Sequence, residues 1–372
     1  MQFLQFDPTV FVIENHYEIL CNATQNGVFA VRVGNKTYYE ENAGVLASEK
    51  PYAKIRIPQR ALNEVGEYSV VFRASLQRRS YFSQMGEEQA QSYAFRPLCK
   101  TSDIHMYHVA DIHGHFDLAE QCADYFGDDL DMLAVNGDLC ELNAQEDFLR
   151  IFRFLGNISH GKTPVLFSRG NHDVRGRSAE RYARYFPCNN GKTYYAFTLG
   201  CLHGVVFDCG EDKNDDYIGI TESGAKQSVY AGLNVFASFR KRQTEFLRRV
   251  RLPRGGIPFA MGHVCPVQTT LHKGDCFDIE RKTYAKWNEA FERLGIRFML
   301  CGHIHKAYIL PPDAPESTLR HNYPVVVGSQ CAPTADPPTL WGAAITLQPH
   351  GITVRFTDNA KNVLSEHAVA FG

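Results

Sequence analysis

The chain has 372 residues, 44% of them hydrophobic and 22% charged, with 39 basic against 41 acidic side chains. This is a globular composition with enough apolar residues for a sizeable core, and the length suits two domains, or one large and one small. A net charge of −2 excludes the basic excess that a nucleic acid polymer or an acidic membrane surface selects, so neither is expected as a partner.

Eleven cysteines, an odd number with no Cys-x-x-Cys pair, argue against a disulfide framework and for a reducing compartment. The N-terminus "MQFLQFDPTVFVIENHYEIL" lacks a basic start and a cleavage signature, and no run approaches the ~18 apolar residues of a membrane span. The sequence therefore predicts a cytoplasmic protein.

Residues 1–98 read as short strands and turns. "VFAVRVGNKTYYE" alternates Phe29, Val31 and Val33 before turning at "GNK"; "YAKIRIP" alternates Ile55 and Ile57; "GEYSVVFRAS" alternates Tyr68, Val70 and Phe72. The pattern predicts a small antiparallel sandwich, and no cluster of His, Asp and Glu marks it as a site. The polar stretch "EEQAQSYAFRPLCKTSD" places a boundary near Pro97, giving domains 1–98 and 99–372. Beyond it, apolar strands alternate with amphipathic helices. "MYHVA", "DMLAVN", "PVLFS", "IPFAM" and "IRFMLC" are strands, "YYAFTLGCLHGVVFD" is a hairpin, and "KWNEAFERLG" is a helix stopped by Gly295. The basic segment "RKRQTEFLRRV" turns Phe246, Leu247 and Val250 to a core, and "LWGAAITLQPHGITVRF" opens a closing run of strands.

Five polar motifs each follow an apolar strand: Asp111-x-His113, Gly137-Asp138, Gly170-Asn171-His172-Asp173, Gly262-His263 and Gly302-His303-x-His305. In an open α/β sheet, the carboxyl ends of strands converge on one crevice. Any one of these motifs is an ordinary turn; all five together gather Asp111, His113, Asp138, Asn171, His263, His303 and His305. Seven oxygen and nitrogen donors exceed one tetrahedral ion and suit two ions about 3.5–4 Å apart with a shared carboxylate. Imidazole with carboxylate favours Mn, Fe or Zn over a pure Mg or Ca cage.

The motif order resembles that of the calcineurin-like metallophosphoesterase superfamily, over about residues 103 to 330. The resemblance implies a four-layer αββα sandwich. The strands before it, with "GEYSVVFR" leading to "AFRP", are similar to the fibronectin-type-III-like domain that precedes the catalytic domain of purple acid phosphatases. One position departs from that branch: three residues after the bridging aspartate stands Glu141 instead of tyrosine, so no purple Fe(III)-tyrosinate centre is expected.

By the resemblance, Asp111, His113 and His305 hold one metal, Asn171, His263 and His303 the other, and Asp138 bridges them. The two ions, divalent or trivalent, activate a hydroxide for in-line attack on phosphorus, and His172 protonates the leaving oxygen. Asp173 either orients His172 or ends the turn. Arg175 and Arg177 are placed to bind phosphate oxygens or to lie on the surface, and His115 to touch the substrate, to support the site or to lie on the surface. Cys140, Cys265 and Cys301 read as small core residues, and His108 and His203 as structural. The long insert Gly210 to Val235 is a candidate lid. The implied function is a dinuclear-metal phosphoesterase for a small phosphoester, a phosphatase before a phosphodiesterase of cyclic or other nucleotides. An inactive scaffold would show a missing ligand or acid, and none is missing.

Overall fold

The structure, a computed structural model, describes residues 2–215, 217–220, 223–228, 233, 236–268 and 280–371. Two sheets face each other. The longer has ten strands and runs Val363–Ala370, Gly351–Asp358, Thr339–Gln348, Ile104–Val109, Met132–Asn136, Pro164–Ser168, Thr9–Ile13, His16–Asn22 and Tyr52–Pro58, with Gln330–Ala332 paired to Thr339–Gln348. The shorter has six: Tyr195–Leu199, Leu202–Val206, Ile257–Met261, Phe298–Cys301, Val325–Val327 and Tyr308–Leu310.

The strands that precede the motifs are neighbours. Ile104–Val109, Met132–Asn136 and Pro164–Ser168 are parallel and adjacent, as are Ile257–Met261 and Phe298–Cys301. Every residue of Met132–Asn136 and Pro164–Ser168 is buried, which is why these strands are apolar runs rather than alternating ones. One face of the longer sheet carries Met106, Met132, Ala134 and Leu166 against Phe259, Met261, Phe298 and Leu300 of the shorter. Its other face is covered by the helices Phe116–Ala123 and Gln145–Ser159, through Phe116, Phe148, Ile151 and Phe152. The outer face of the shorter sheet is covered by Phe236–Arg249 and Arg281–Arg293, through Leu247, Trp287 and Phe291. The four layers are those expected.

Residues 1–98 differ from expectation. They contribute a separate five-stranded sheet, in which Gly27–Val33 lies between Lys36–Tyr39 and Glu67–Gln77. Their other strands, Thr9–Ile13, His16–Asn22 and Tyr52–Pro58, belong to the longer sheet. Thr9–Ile13 pairs in parallel with Pro164–Ser168, with Val10 opposite Pro164 and Phe11 opposite Val165. The division at residue 98 is thus crossed by backbone hydrogen bonds. The physical reason is edge protection: Pro164–Ser168 carries the Gly170-Asn171 loop and is covered on its open side by the N-terminal strand. One core runs through both parts, with Val31, Val70 and Phe72 in the same cluster as Met132 and Leu166.

Candidate metal centre

All five motifs lie at the carboxyl ends of their strands, as the sequence implies. The backbone there is unusual. Asp111, His113, Asp138, His303 and His305 all have φ between 47° and 71°, the left-handed region that non-glycine residues avoid. Five of the seven expected donors hold this conformation. Such conformations at the donors are what a site that must aim side chains into one volume retains.

The glycines of the motifs are required by contact. A Cβ on Gly137 would stand 2.3 Å from the Gly170 nitrogen, and one on Gly170 would stand 2.1 Å from Asp138 Oδ1. The two loops are therefore pressed back to back. Gly170 serves this close approach rather than a sharp turn, since its φ is not positive. A Cβ on Gly302 would meet Ala110, Asp111 and His263 within 2.9 Å.

The seven donors are brought together. Ligand-type atoms of Asp111, His113, Asp138 and His305 all lie within 4.8 Å of one another. His263 Nε2 is 3.1 Å from Asp138 Oδ2 and 3.6 Å from Asp111 Oδ1. Asn171 Oδ1 is 3.1 Å from His303 Nδ1. Asn171 donates its Nδ2 to Asp212 Oδ2 at 3.3 Å, which turns its oxygen toward the cluster. His263 Nδ1 lies 2.7 Å from the Asn136 carbonyl. A proton there leaves Nε2 as the inward atom, the arrangement that fixes the tautomer of a metal-bound imidazole.

These residues fit a pair of cations. His263 Nε2 is buried against the Asp138 and Asp111 carboxylates, and the Nε2 atoms of His113 and His305 point at each other across 3.1 Å. Burial pushes the Asp111 carboxyl up to about 7, with Asp138 and Asp173 adding to it, a repulsion that a bound cation relieves. For Asp138, burial is outweighed by the His263 and His172 imidazoles, which hold it well below the usual carboxylate range. Burial lowers His113 to about 4 and His303 to about 3. They are therefore neutral at neutral pH, the form in which imidazole binds metal. Cys140, Cys265 and Cys301 are buried and stand outside the Asp111 group.

Four residues lie around the donors in sequence, Asp173, Arg175, Arg177 and His115. Asp173 makes no hydrogen bond to His172. Its Oδ2 accepts from the backbone N–H of Asp138 at 2.8 Å and of Gly170 at 2.7 Å, and its Oδ1 from Leu139 at 3.1 Å. It clasps the two ligand loops. Arg175 is committed elsewhere: its guanidinium forks onto Glu211 at 2.6 and 3.0 Å and reaches Asp212 at 3.0 Å. Its Nη1 lies over His172, 3.2 Å from Nε2. Arg177 is exposed. His115 precedes the helix Phe116–Ala123 and lines a shallow cleft with Arg150 and Arg153, outside the donor cluster.

His172 lies beside the cluster. Its backbone N–H donates to Asp138 Oδ1 at 2.7 Å. Its ring meets that of His113 edge-on, with centroids 4.9 Å apart. Its Nδ1 is 3.7 Å from Glu141 Oε1. Burial lowers its pKa, Arg175 adding to the shift and Asp138 and Glu141 opposing it.

Two groups of residues escape a motif reading. Asn136 ends an apolar strand, and its amide spans both sheets, donating to the Leu300 carbonyl at 3.2 Å and accepting from Ser168 Oγ at 2.6 Å. It also touches His108 Nε2, at 3.1 Å, which gives that histidine its structural role. A polar residue at the end of a buried strand was the available signal. Glu211 and Asp212 open the candidate lid, yet both are buried. Arg240, fully buried in Phe236–Arg249, donates to the carbonyls of Cys209 at 3.0 Å and Lys213 at 2.8 Å and so ties the segment down. Residues 216, 221–222, 229–232 and 234–235 of the candidate lid lie outside the described residues.

The family model of calcineurin-like phosphoesterases matches residues 104–307, more than half of the chain. The chain belongs to the calcineurin-like phosphoesterase family. It is a metal-dependent hydrolase of phosphoester bonds, and the donor cluster is its candidate metal centre. Its fold is similar to that of a purple acid phosphatase from yellow lupin (Lupinus luteus) seeds, at 12% identity and a TM-score of 0.62 over 98% of this chain and 74% of that one. It is also similar to PhoD, at 11% identity and a TM-score of 0.55 over 98% and 88% of the two chains. No curated protein matches the chain. Among the described residues of this phosphoesterase, no helix is long and apolar enough to cross a membrane.

Proposed function

We propose that the chain is a phosphomonoesterase using two ions, Mn, Fe or Zn, at the seven donors. The carrying observation is the convergence of five loops on one cluster whose anionic donors, among the described residues, are Asp111 and Asp138. Two divalent ions with two carboxylates and otherwise neutral ligands leave a charge of about +2, which matches the dianion of a monoester. Bound there, the ions supply Lewis-acid charge to the phosphoryl oxygens and acidify the attacking water.

The chain's own groups do the rest. Asp111, His113 and His305 would hold one ion, Asn171, His263 and His303 the other, and Asp138 would serve both. His172 delivers a proton to the leaving oxygen. Asp173 is a positioning residue that locks the Asp138 and Asn171 loops together. Arg175 holds His172 from one side and Glu211 and Asp212 from the other, so it supports the acid rather than the substrate.

One observation favours a second reading. Because Arg175 is paired with Glu211 and Asp212, it is not available to balance a dianion, and a diester monoanion asks for less charge. Protein purified without chelator and supplied with Mn²⁺ decides between them. We expect two ions per chain and at least tenfold higher kcat/KM for p-nitrophenyl phosphate than for bis(p-nitrophenyl) phosphate. The reverse preference would establish the diesterase reading, and fewer than two ions would remove the dinuclear one.

A further inference from the structure

The hairpin that joins Glu67–Gln77 to Gln84–Met85 presents Leu76, Tyr81 and Phe82 to solvent, 57%, 81% and 94% exposed. Among the described residues, Phe82 and Tyr81 are the most exposed of the large hydrophobic side chains. The hairpin is also built rather than loose. The strands pair Ser75 with Met85 and Gln77 with Gln84. Ser83 Oγ closes the turn, accepting from the Arg79 N–H at 3.2 Å and donating to the Arg79 carbonyl at 3.4 Å. Phe82 takes a left-handed φ of 44°, a conformation an aromatic residue avoids, which keeps its ring beside that of Tyr81, with centroids 6.4 Å apart.

The tip itself carries charge of one sign. The segment "LQRRSYFSQM", Leu76 to Met85, holds Arg78 and Arg79 and no carboxylate. The acids stand behind it: Glu49 accepts from Ser75 Oγ at 3.1 Å, Glu87 follows the second strand, and Glu88 is taken by Arg32 at 2.8 Å and Arg73 at 3.5 Å. Two basic residues beside two exposed aromatic rings on a convex tip form a surface with few possible complements. A stable protein interface needs about 800 Å² per partner, usually flat or concave, which three side chains on a hairpin do not offer. A bilayer asks for less: rings that sit at the headgroup boundary and cations that meet anionic headgroups.

We propose that this hairpin docks the protein on an anionic phospholipid surface, with Tyr81 and Phe82 entering the headgroup region and Arg78 and Arg79 pairing with lipid phosphates and carboxylates. The inference is independent of the hydrolytic reading and is measured without turnover. It revises the expectation of no membrane partner: net charge averages over the whole chain, whereas a surface responds to local charge within about a Debye length, ~8 Å at physiological salt. It involves no membrane span.

The test is cosedimentation of the full chain with phosphatidylcholine vesicles, with and without phosphatidylserine. We expect binding to the phosphatidylserine vesicles that weakens with salt. Tyr81→Ser with Phe82→Ser should weaken it at least tenfold, and Arg78→Gln with Arg79→Gln by about fivefold per charge. Both double variants replace exposed side chains, so their thermal melting should match the parent's. Absence of binding to phosphatidylserine vesicles, or equal binding by the aromatic variant, would overturn the proposal. So would self-association without lipid that the aromatic variant abolishes, since the tip would then be a contact between copies.

Discussion

The ligand loops and the N-terminal strands teach opposite lessons about where information lies in this chain. Each ligand loop is a few residues long, and its chemistry is local. At Gly137 and Gly302 the missing Cβ avoids a collision with a neighbouring loop, and the donors beside them, Asp138 and His303, take a left-handed turn. The N-terminal strands carry no donor, and their contribution is distant. Thr9–Ile13 pairs with a strand some 150 residues later and seals the edge of Pro164–Ser168. Motifs of the first kind survive as readable words. Pairing of the second kind leaves only an apolar run, which does not say which strand it will join.

The sharpest way to break this comparison is to delete residues 1–98. If the region were an independent module, the remainder would fold and bind metal. The pairing predicts otherwise. Deletion strips Pro164–Ser168 of its neighbour, exposes the shared core around Leu166 and Met132, and removes the bond from Gln59 Nε2 to the Thr198 carbonyl at 2.6 Å. We expect no soluble folded protein, judged by circular dichroism and size exclusion. A soluble, metal-loaded remainder would restore the boundary at 98.

The next largest effect falls on His172, which shares its loop with Asn171. His172→Ala should retain both ions and lose about 10²–10⁴-fold in kcat on an alkyl phosphoester, whose poor leaving group needs a proton. On p-nitrophenyl phosphate, which leaves as a stable anion, the loss should be much smaller. Equal losses on both, or loss of metal, would make His172 a binder or a ligand instead of an acid.

The same loop shows the limit of reading chemistry from residue type. The strand ends and the seven candidate donors follow from the alternation of apolar runs with Gly-polar turns, and the four-layer core from the resemblance those motifs carry. The role of Asp173 does not. A carboxylate beside a histidine reads as its partner, but the backbone aims it at three N–H groups instead. Arg175 is similar: nothing near it in sequence reveals Glu211 and Asp212, which reach it across 36 residues and more. Ligand positions are legible because the donors themselves are constrained. Supporting contacts are not, because any acid at the right distance serves.

Asp173→Asn separates the two meanings. An amide in place of the carboxylate sets N–H against backbone N–H in a buried clasp, which should cost about 3 kcal/mol of stability. Metal affinity should fall with it, because the Asp138 and Asn171 loops lose their common anchor. At saturating metal, kcat should recover most of its value, and the ratio of alkyl to aryl ester activity should stay that of the parent. A change in that ratio would return Asp173 to the chemistry.

The smallest effect is expected at Glu141, where the side chain is 56% exposed and lies 3.7 Å from His172 Nδ1. Burial and Arg175 lower the His172 pKa, while Asp138 and Glu141 raise it. Glu141→Gln removes one of the raising groups, so the pKa should fall further. An acid works while protonated, that is, below its pKa. The alkaline limb of kcat for an alkyl phosphoester should therefore move to lower pH, by less than about one unit, because solvent and salt screen an exposed carboxylate. The shift should shrink further at high salt. The aryl ester, which does not need the proton, should keep its alkaline limb where it was. A limb that stays in place for both esters would mean that Glu141 does not reach the acid, and a limb that moves equally for both would place its effect on the metals instead.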